Sequence, residues 1–213
     1  NPQRITTRQT KRLAQLARTY KIKTTEPTEQ LLLLLRKIQT IPASLILAQA
    51  ANESAWGTSR FAQQGNNLFG QWCFKTGCGL VPSGRPANAS YEVRLFKTPL
   101  ESVSAYVRNL NSHGGYLELR RIRECIQKEN EAVTGRALAS GLLHYSSRGV
   151  AYIHDIKQLI RVNKLEPWDK NWWGEQQPDH ACYGLVQAPL QLVDSTTAAV
   201  MQVAATTPTT VRN

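Results

Sequence analysis

The sequence predicts an α+β protein, predominantly helical, in which a helical body is interrupted once by a small β-hairpin lobe. Apolar residues recur with helical spacing before residue 66 and again after residue 98. Between them, residues 66–98 are rich in glycine, proline, aromatic and β-branched residues, and Tyr91-Glu92-Val93-Arg94-Leu95-Phe96 alternates as a strand does. An acid, Glu53, falls near the junction of body and lobe. Such a junction is a cleft architecture, in which an extended polymer can lie between the two parts.

An amphipathic stretch from Arg8 to Tyr20 predicts the first helix, a Thr/Lys/Pro linker runs through Pro27, and Thr28 to about Gln39 predicts the second. Ile41-Pro42-Ala43-Ser44-Leu45-Ile46-Leu47-Ala48-Gln49-Ala50-Ala51 follows, apolar nearly all round like a buried core helix, with Pro42 suited to its first turn. A short helix is expected over Thr58–Gln64, then the β-lobe. Helical spacing returns over Pro99–Leu110, Tyr116 to about Lys128, Glu131–Leu142 and Ala151–Asn163. Beyond Pro167 it stops, and the Ala/Val/Thr run 198–210 predicts an extended or disordered tail. The expected organisation is therefore a basic helical region 1–40, a catalytic domain 41–166 and a C-terminal extension 167–213.

Its 213 residues suffice for one domain with a real core, and the longest apolar run, Leu31 to Leu35, is far too short to span a bilayer. Starting at Asn1 with no signal-peptide pattern, the chain reads as a mature or trimmed product whose targeting segment is missing. The net charge of +11 favours an anionic partner. Residues 1–40 carry nine Lys or Arg against Glu26 and Glu29, and Arg120-Arg121-Ile122-Arg123 forms a second cluster. No recognisable nucleic-acid reader accompanies this charge, which leaves a solvated face or an electrostatic guide to a polyanion.

Cys73 and Cys78 flank the turn-like Phe74-Lys75-Thr76-Gly77. They either close a short disulfide loop, which implies export to an oxidising compartment, or remain reduced like any cytosolic thiols; Cys125 and Cys182 add no pattern of their own. His113, His144, His154 and His180 form no ligand pairs with zinc-site spacing, so no metal and no cofactor is expected. Asn52-Glu53-Ser54 and Asn88-Ala89-Ser90 match the short glycosylation triplet, a weak pattern without the host.

Glu53 carries the chemical argument. It stands where the apolar helix runs out, and the negative end of the helix dipole and loss of solvent both disfavour its ionised form. A carboxylic acid still protonated near neutrality is what cleavage of an acetal needs, because the leaving alkoxide takes up a proton as its bond breaks. An exposed last-turn glutamate is the competing reading.

Asn52-Glu53-Ser54-Ala55-Trp56-Gly57, Asn66-Asn67-Leu68-Phe69-Gly70 and Phe96-Lys97-Thr98-Pro99, the last leading into Ser102-Val103-Ser104-Ala105-Tyr106, occur in that order. Together, over roughly residues 40–165, they resemble the peptidoglycan β-N-acetylglucosaminidases of glycoside hydrolase family 73, which include the FlgJ glucosaminidase domain and, with the strongest likeness, the bacterial Bax-type proteins. The resemblance implies a lysozyme-like fold and hydrolysis of the glycan strand after N-acetylglucosamine by a protein exported to the periplasm or envelope of a bacterium. Its partners would be peptidoglycan strands and an anionic wall surface. Glu53 matches the general acid. Trp56, Asn67 and Phe69 match positions near the cleft, with core packing the competing role for Trp56 and Phe69. Leu143-His144-Tyr145-Ser146-Ser147 and the later Tyr152 match the segment of the active-site tyrosine, so Tyr145 either bonds the substrate acetamido group or attacking water, or is structural.

The chain departs from this pattern at one point. Several family members place a second carboxylate in the β-lobe, yet residues 54–91 contain no Asp or Glu, and Glu92 and then Glu101 come first. Inversion needs a base about 6.5–9.5 Å from the acid and a protein nucleophile about 5–5.5 Å, while the substrate's own acetamido group is the other route. Glu92 is the expected contributor, although strand alternation alone leaves its direction open. A muramidase, a lytic transglycosylase and a silent wall-binding module are the alternative functions.

Overall fold

A computed structural model describes residues 6–169. The run 198–210, where an extended tail is expected, lies outside the described residues. Helix α1 spans Thr7–Thr19, α2 Pro27–Lys37, α3 Ala43–Ser54 and α4 Arg60–Gly65. Strands β1 Trp72–Cys73, β2 Gly79–Leu80 and β3 Glu92–Arg94 follow, then α5 Pro99–Ser112, a 3-10 turn Gly114–Tyr116, α6 Leu117–Lys128, α7 Gly135–Ala139, α8 Val150–Val162 and a last 3-10 turn Glu166–Asp169. This is the predominantly helical α+β arrangement expected of a lysozyme-like body with a small β-lobe. No helix among the described residues is long and apolar enough to cross a membrane.

Helix starts follow side chains that accept the orphan amides of a first turn. Thr6 and Gln9 form a capping box on α1, Ser59 caps α4, Thr98 caps α5 just before Pro99, and Thr134 caps α7. Helix α3 has Pro42 at its N-cap and no local side-chain cap. Asp169 supplies one from 125 residues away: Oδ1 accepts from the Ser44 amide at 2.8 Å and Oδ2 from the Ser44 hydroxyl at 2.6 Å and the Gly135 amide at 3.0 Å. The start of the acid-bearing helix is thus tied to a residue beyond the boundary expected at 166.

Two expectations change. The helix expected over Glu131–Leu142 shrinks to α7, because Thr134 starts it late and the chain then turns sharply through Leu142. Gly135 and Gly141 lie where α7 meets neighbouring backbone; a Cβ on Gly135 would collide with Ser44 and Leu45, and one on Gly141 with Leu119. The expected hairpin is instead a three-stranded antiparallel sheet with order β1-β3-β2. Strand β3 is central, pairing Cys73 with Glu92 on one side and Leu80 with Val93 on the other.

The core gathers Leu45 and Ala48 of α3, Tyr106 and Leu110 of α5, Leu119, Ile122 and Ile126 of α6, Leu138 of α7, and Tyr152, Ile156 and Ile160 of α8. Helix α3 is buried on this side only, and Leu47 is exposed, so the all-round apolar run does not mean burial all round. The second basic cluster is likewise not one solvated face. Arg123 is 1% exposed, and its guanidinium donates to Asn111 Oδ1 at 2.7 Å and to the carbonyls of Thr40 and Lys37 at 3.3 Å. Arg120 donates to the carbonyls of Leu110 at 2.8 Å and His113 at 2.9 Å. Burial lowers the pKa of both, Arg123 to about 10. Arg123 thereby sits at the carbonyl end of α2, where the helix dipole favours a cation.

Candidate active site

Glu53 occupies the last turn of α3, and the chain leaves that helix abruptly. Ala55, Trp56 and Gly57 take positive φ in succession, at 50°, 58° and 78°. Non-glycine residues rarely adopt this region, and such backbone concentrates at functional sites. Ser54 holds the turn, donating its hydroxyl to the Ala50 carbonyl at 2.6 Å and accepting the Gly57 amide at 2.7 Å.

The Glu53 carboxyl faces tyrosines. Tyr152 of α8 donates its hydroxyl to Glu53 Oε1 at 2.7 Å, and Asn52 Nδ2 donates to the same oxygen at 3.1 Å. Tyr145 stacks on Tyr152 with ring centroids 5.3 Å apart, and Tyr116 lies against Tyr145 at 6.1 Å. Burial raises the Glu53 pKa, against the bonds from Tyr152 and Asn52 and the charge of Arg148, which all favour the carboxylate. Arg148 is itself ion-paired with Asp155. Burial, followed by the nearness of Glu53, pushes the Tyr145 and Tyr152 phenols well up, so both remain neutral donors.

Behind Tyr152 are two polar groups to which the sequence assigns no role. Gln49 Nε2 donates to the Tyr152 hydroxyl at 2.8 Å, and the Tyr106 hydroxyl donates to Gln49 Oε1. Gln49 did carry a signal: it is a polar residue in an apolar run, one helical turn before Glu53 and therefore on the same face.

The other expected site residues are placed differently from one another. Tyr145 joins the group around Glu53, and its hydroxyl donates to the Phe69 carbonyl at 3.4 Å. Phe69 is buried and stacked on Tyr106 at 4.0 Å, so its ring packs in the core. Asn67 is buried too: its Nδ2 donates to the carbonyls of Gln71 and Arg94, and its Oδ1 accepts the amides of Gln71 and Phe69. It ties the 67–71 turn to β3. Trp56 is 65% exposed and borders an apolar recess of about 290 Å³ with Leu47, Leu68, Leu159 and Leu165.

Glu92 points inward, with 4% exposure. One carboxylate oxygen accepts the Gly77 amide at 3.0 Å and the other the Gly79 amide at 2.7 Å. These bonds hold its pKa below the usual carboxylate range. A disulfide joins Cys73 and Cys78 beside it, so Glu92 closes the same loop from within. The cluster of Cys73, Cys78 and Glu92 has its candidate ligand atoms within 4.8 Å of one another, but its sulfurs are bonded to each other and offer no thiolate to a metal.

A family model described as glucosaminidase, mannosyl-glycoprotein endo-β-N-acetylglucosaminidase, matches residues 30–165. The chain belongs to this glucosaminidase family. The match runs from within α2 to three residues beyond the end of α8 and contains Glu53, its tyrosines and the whole β-lobe. The chain is also 39% identical over 158 residues to Protein bax of Escherichia coli strain K12, covering 72% of this chain and 55% of that protein. The chain thus spans about half the length of the curated relative it matches. No solved structure matches.

Proposed function

We propose that this glucosaminidase hydrolyses the glycan strand of peptidoglycan after N-acetylglucosamine, as an exported protein of a bacterial envelope, with Glu53 as general acid. The observation that carries the reading is the half-enclosed carboxyl of Glu53, raised in pKa by burial and ringed by neutral tyrosines at the end of α3. In that setting Glu53 holds a proton at a pH where an ordinary carboxyl has lost it, and can deliver it to the glycosidic oxygen.

The partner in catalysis is the substrate's 2-acetamido group. Both oxygens of Glu92 are already engaged by backbone amides, and its lowered pKa makes it a weak base. In this mechanism the acetamido carbonyl oxygen attacks C1 as Glu53 protonates the leaving oxygen, giving a cyclic oxazolinium ion. Glu53, now ionised, takes a proton from the water that opens the ring, and the anomeric configuration is retained. Tyr145 orients the acetamido group, and Tyr152 positions the Glu53 carboxyl. Trp56, exposed at the helix end, offers an apolar face to a sugar ring.

Mass spectrometry of the muropeptides released from purified sacculi tests the reaction. Products ending in reducing N-acetylglucosamine are expected. Reducing N-acetylmuramic acid would make the protein a muramidase, an anhydro end a lytic transglycosylase, and no product a wall-binding module; each overturns the proposal.

A further inference from the structure

We propose that Gln49 and Tyr106 are positioning residues that decide which oxygen of Glu53 carries the transferable proton. Tyr106, Gln49, Tyr152 and Glu53 form one hydrogen-bonded chain across α5, α3 and α8. Tyr106, Gln49 and Tyr152 are all almost wholly buried, where a polar group without a partner is costly. The inference rests on Glu53 being the acid.

The chain runs one way. Tyr106 donates to Gln49 Oε1, which turns the amide so that Nε2 donates to the Tyr152 oxygen, which leaves the Tyr152 proton to point at Glu53 Oε1. Asn52 donates to that oxygen as well. With two donors aimed at it, Oε1 acts as an acceptor in both ionisation states, and the acidic proton resides on Oε2, free to be transferred.

A reversed chain is the alternative that the protein must exclude. In it, Glu53 would bear its proton on Oε1 and donate to Tyr152, Tyr152 would donate to Gln49 Oε1, and Gln49 would donate to Tyr106. The Tyr106 proton would then lose the acceptor that the structure gives it, in a fully buried site. The hydroxyl of Tyr106 therefore sets the direction of every bond as far as Glu53, although it contacts no substrate. Among the described residues, the other ionisable groups interacting with Glu53 are Arg148, just before α8, and the phenols of Tyr145 and Tyr116, and none of them takes part in the chain.

Tyr106→Phe tests this by removing one oxygen while keeping the ring stacked on Phe69; Tyr106→Met, which removes the hydroxyl together with the ring, is the second variant should the first fail to fold. In both, Gln49 can turn so that its Oε1 accepts from Tyr152 while Glu53 donates to Tyr152, and the protonated form of Glu53 gains a second arrangement that the ionised form, which cannot donate, lacks. The Glu53 carboxyl, followed by carbon-13 NMR of labelled glutamate and assigned with Glu53→Gln, is expected to titrate about half a unit to one unit higher. On glycan, kcat below that pKa is expected to fall about two- to tenfold with KM unchanged, because part of the acid population holds its proton on the wrong oxygen. An unshifted titration in the folded variants overturns the inference. Since titration needs no substrate, a shifted pKa with a wild type that cleaves no glycan would remove the proposed function and leave the direction of the chain standing.

Discussion

Tyr152 donates its hydroxyl to Glu53 Oε1 across 2.7 Å, from a helix that starts 97 residues after the acid. This bond favours the ionised carboxylate, and burial, the larger influence, favours the neutral acid. Their balance leaves the Glu53 pKa above its ordinary 4.5. Replacing the acid by its amide is therefore informative about activity and stability together.

Glu53→Gln is expected to lower glycan hydrolysis by about a hundred- to ten-thousand-fold, since the amide keeps the shape and donates no acidic proton. Its circular dichroism should match wild type. Turnover near wild type in a verified sample would exclude Glu53 as the acid.

The same variant has a stability signature. A carboxyl with a raised folded pKa binds its proton more tightly in the folded than in the unfolded chain, so its contribution is fully present at low pH and is lost as pH rises from the ordinary value through the raised one. The Tm of Glu53→Gln relative to wild type should therefore increase over that interval and level off above it. A difference independent of pH would mean that Glu53 titrates alike in both states.

Glu92→Gln separates support from catalysis. Turnover is expected to stay within about threefold of wild type, while amide exchange at Gly77 and Gly79 quickens, because one oxygen acceptor is replaced by an NH2 group that cannot accept. A loss of orders of magnitude in kcat with unchanged binding would reinstate Glu92 as the base.

Arg123→Met is expected to destabilise the fold by about 2 kcal/mol or more, as the carbonyls of Lys37 and Thr40 and the side chain of Asn111 lose their shared donor in a dry site. Chemical denaturation measures it. Activity per folded molecule should be unchanged.

The exposed cations of α1, Arg8, Lys11, Arg12 and Arg18, lead to a prediction about salt. Raising ionic strength should weaken binding to sacculi more than it slows turnover of a short neutral oligosaccharide, since screening acts on exposed charges. Equal sensitivity on both substrates would remove a steering role for this helix.

Much of the fold was legible because its signals are local. Thr98-Pro99 announces α5, the Pro27 turn announces α2, and the alternation around Glu92 marks the central strand. The direction of the Glu92 side chain was not legible, because alternation supplies two faces and the deciding amides of Gly77 and Gly79 arrive through a separate turn. Asn67 was read as a ligand-binding group because its neighbours form a motif, yet its four bonds to Phe69, Gln71 and Arg94 show a backbone brace. Glu53 and Tyr152 were visible as motif residues. Gln49 was not, and Tyr106 closes the Ser102–Tyr106 motif without a role of its own, since a buried polar group declares its partner only when distant helices meet.

Asp169 gives the helix that carries Glu53 a dependence on the order in which the chain is made. Synthesis proceeds from the N-terminus, and domains form as their segments emerge. Helix α3 leaves the ribosome lacking a cap of its own, and the carboxylate that accepts its Ser44 amide follows 125 residues later. A nascent chain that ends before Asp169 lacks this acceptor, and the first turn of the acid-bearing helix gains its stabilisation, about 0.5–2 kcal/mol for a cap, only when that late residue docks.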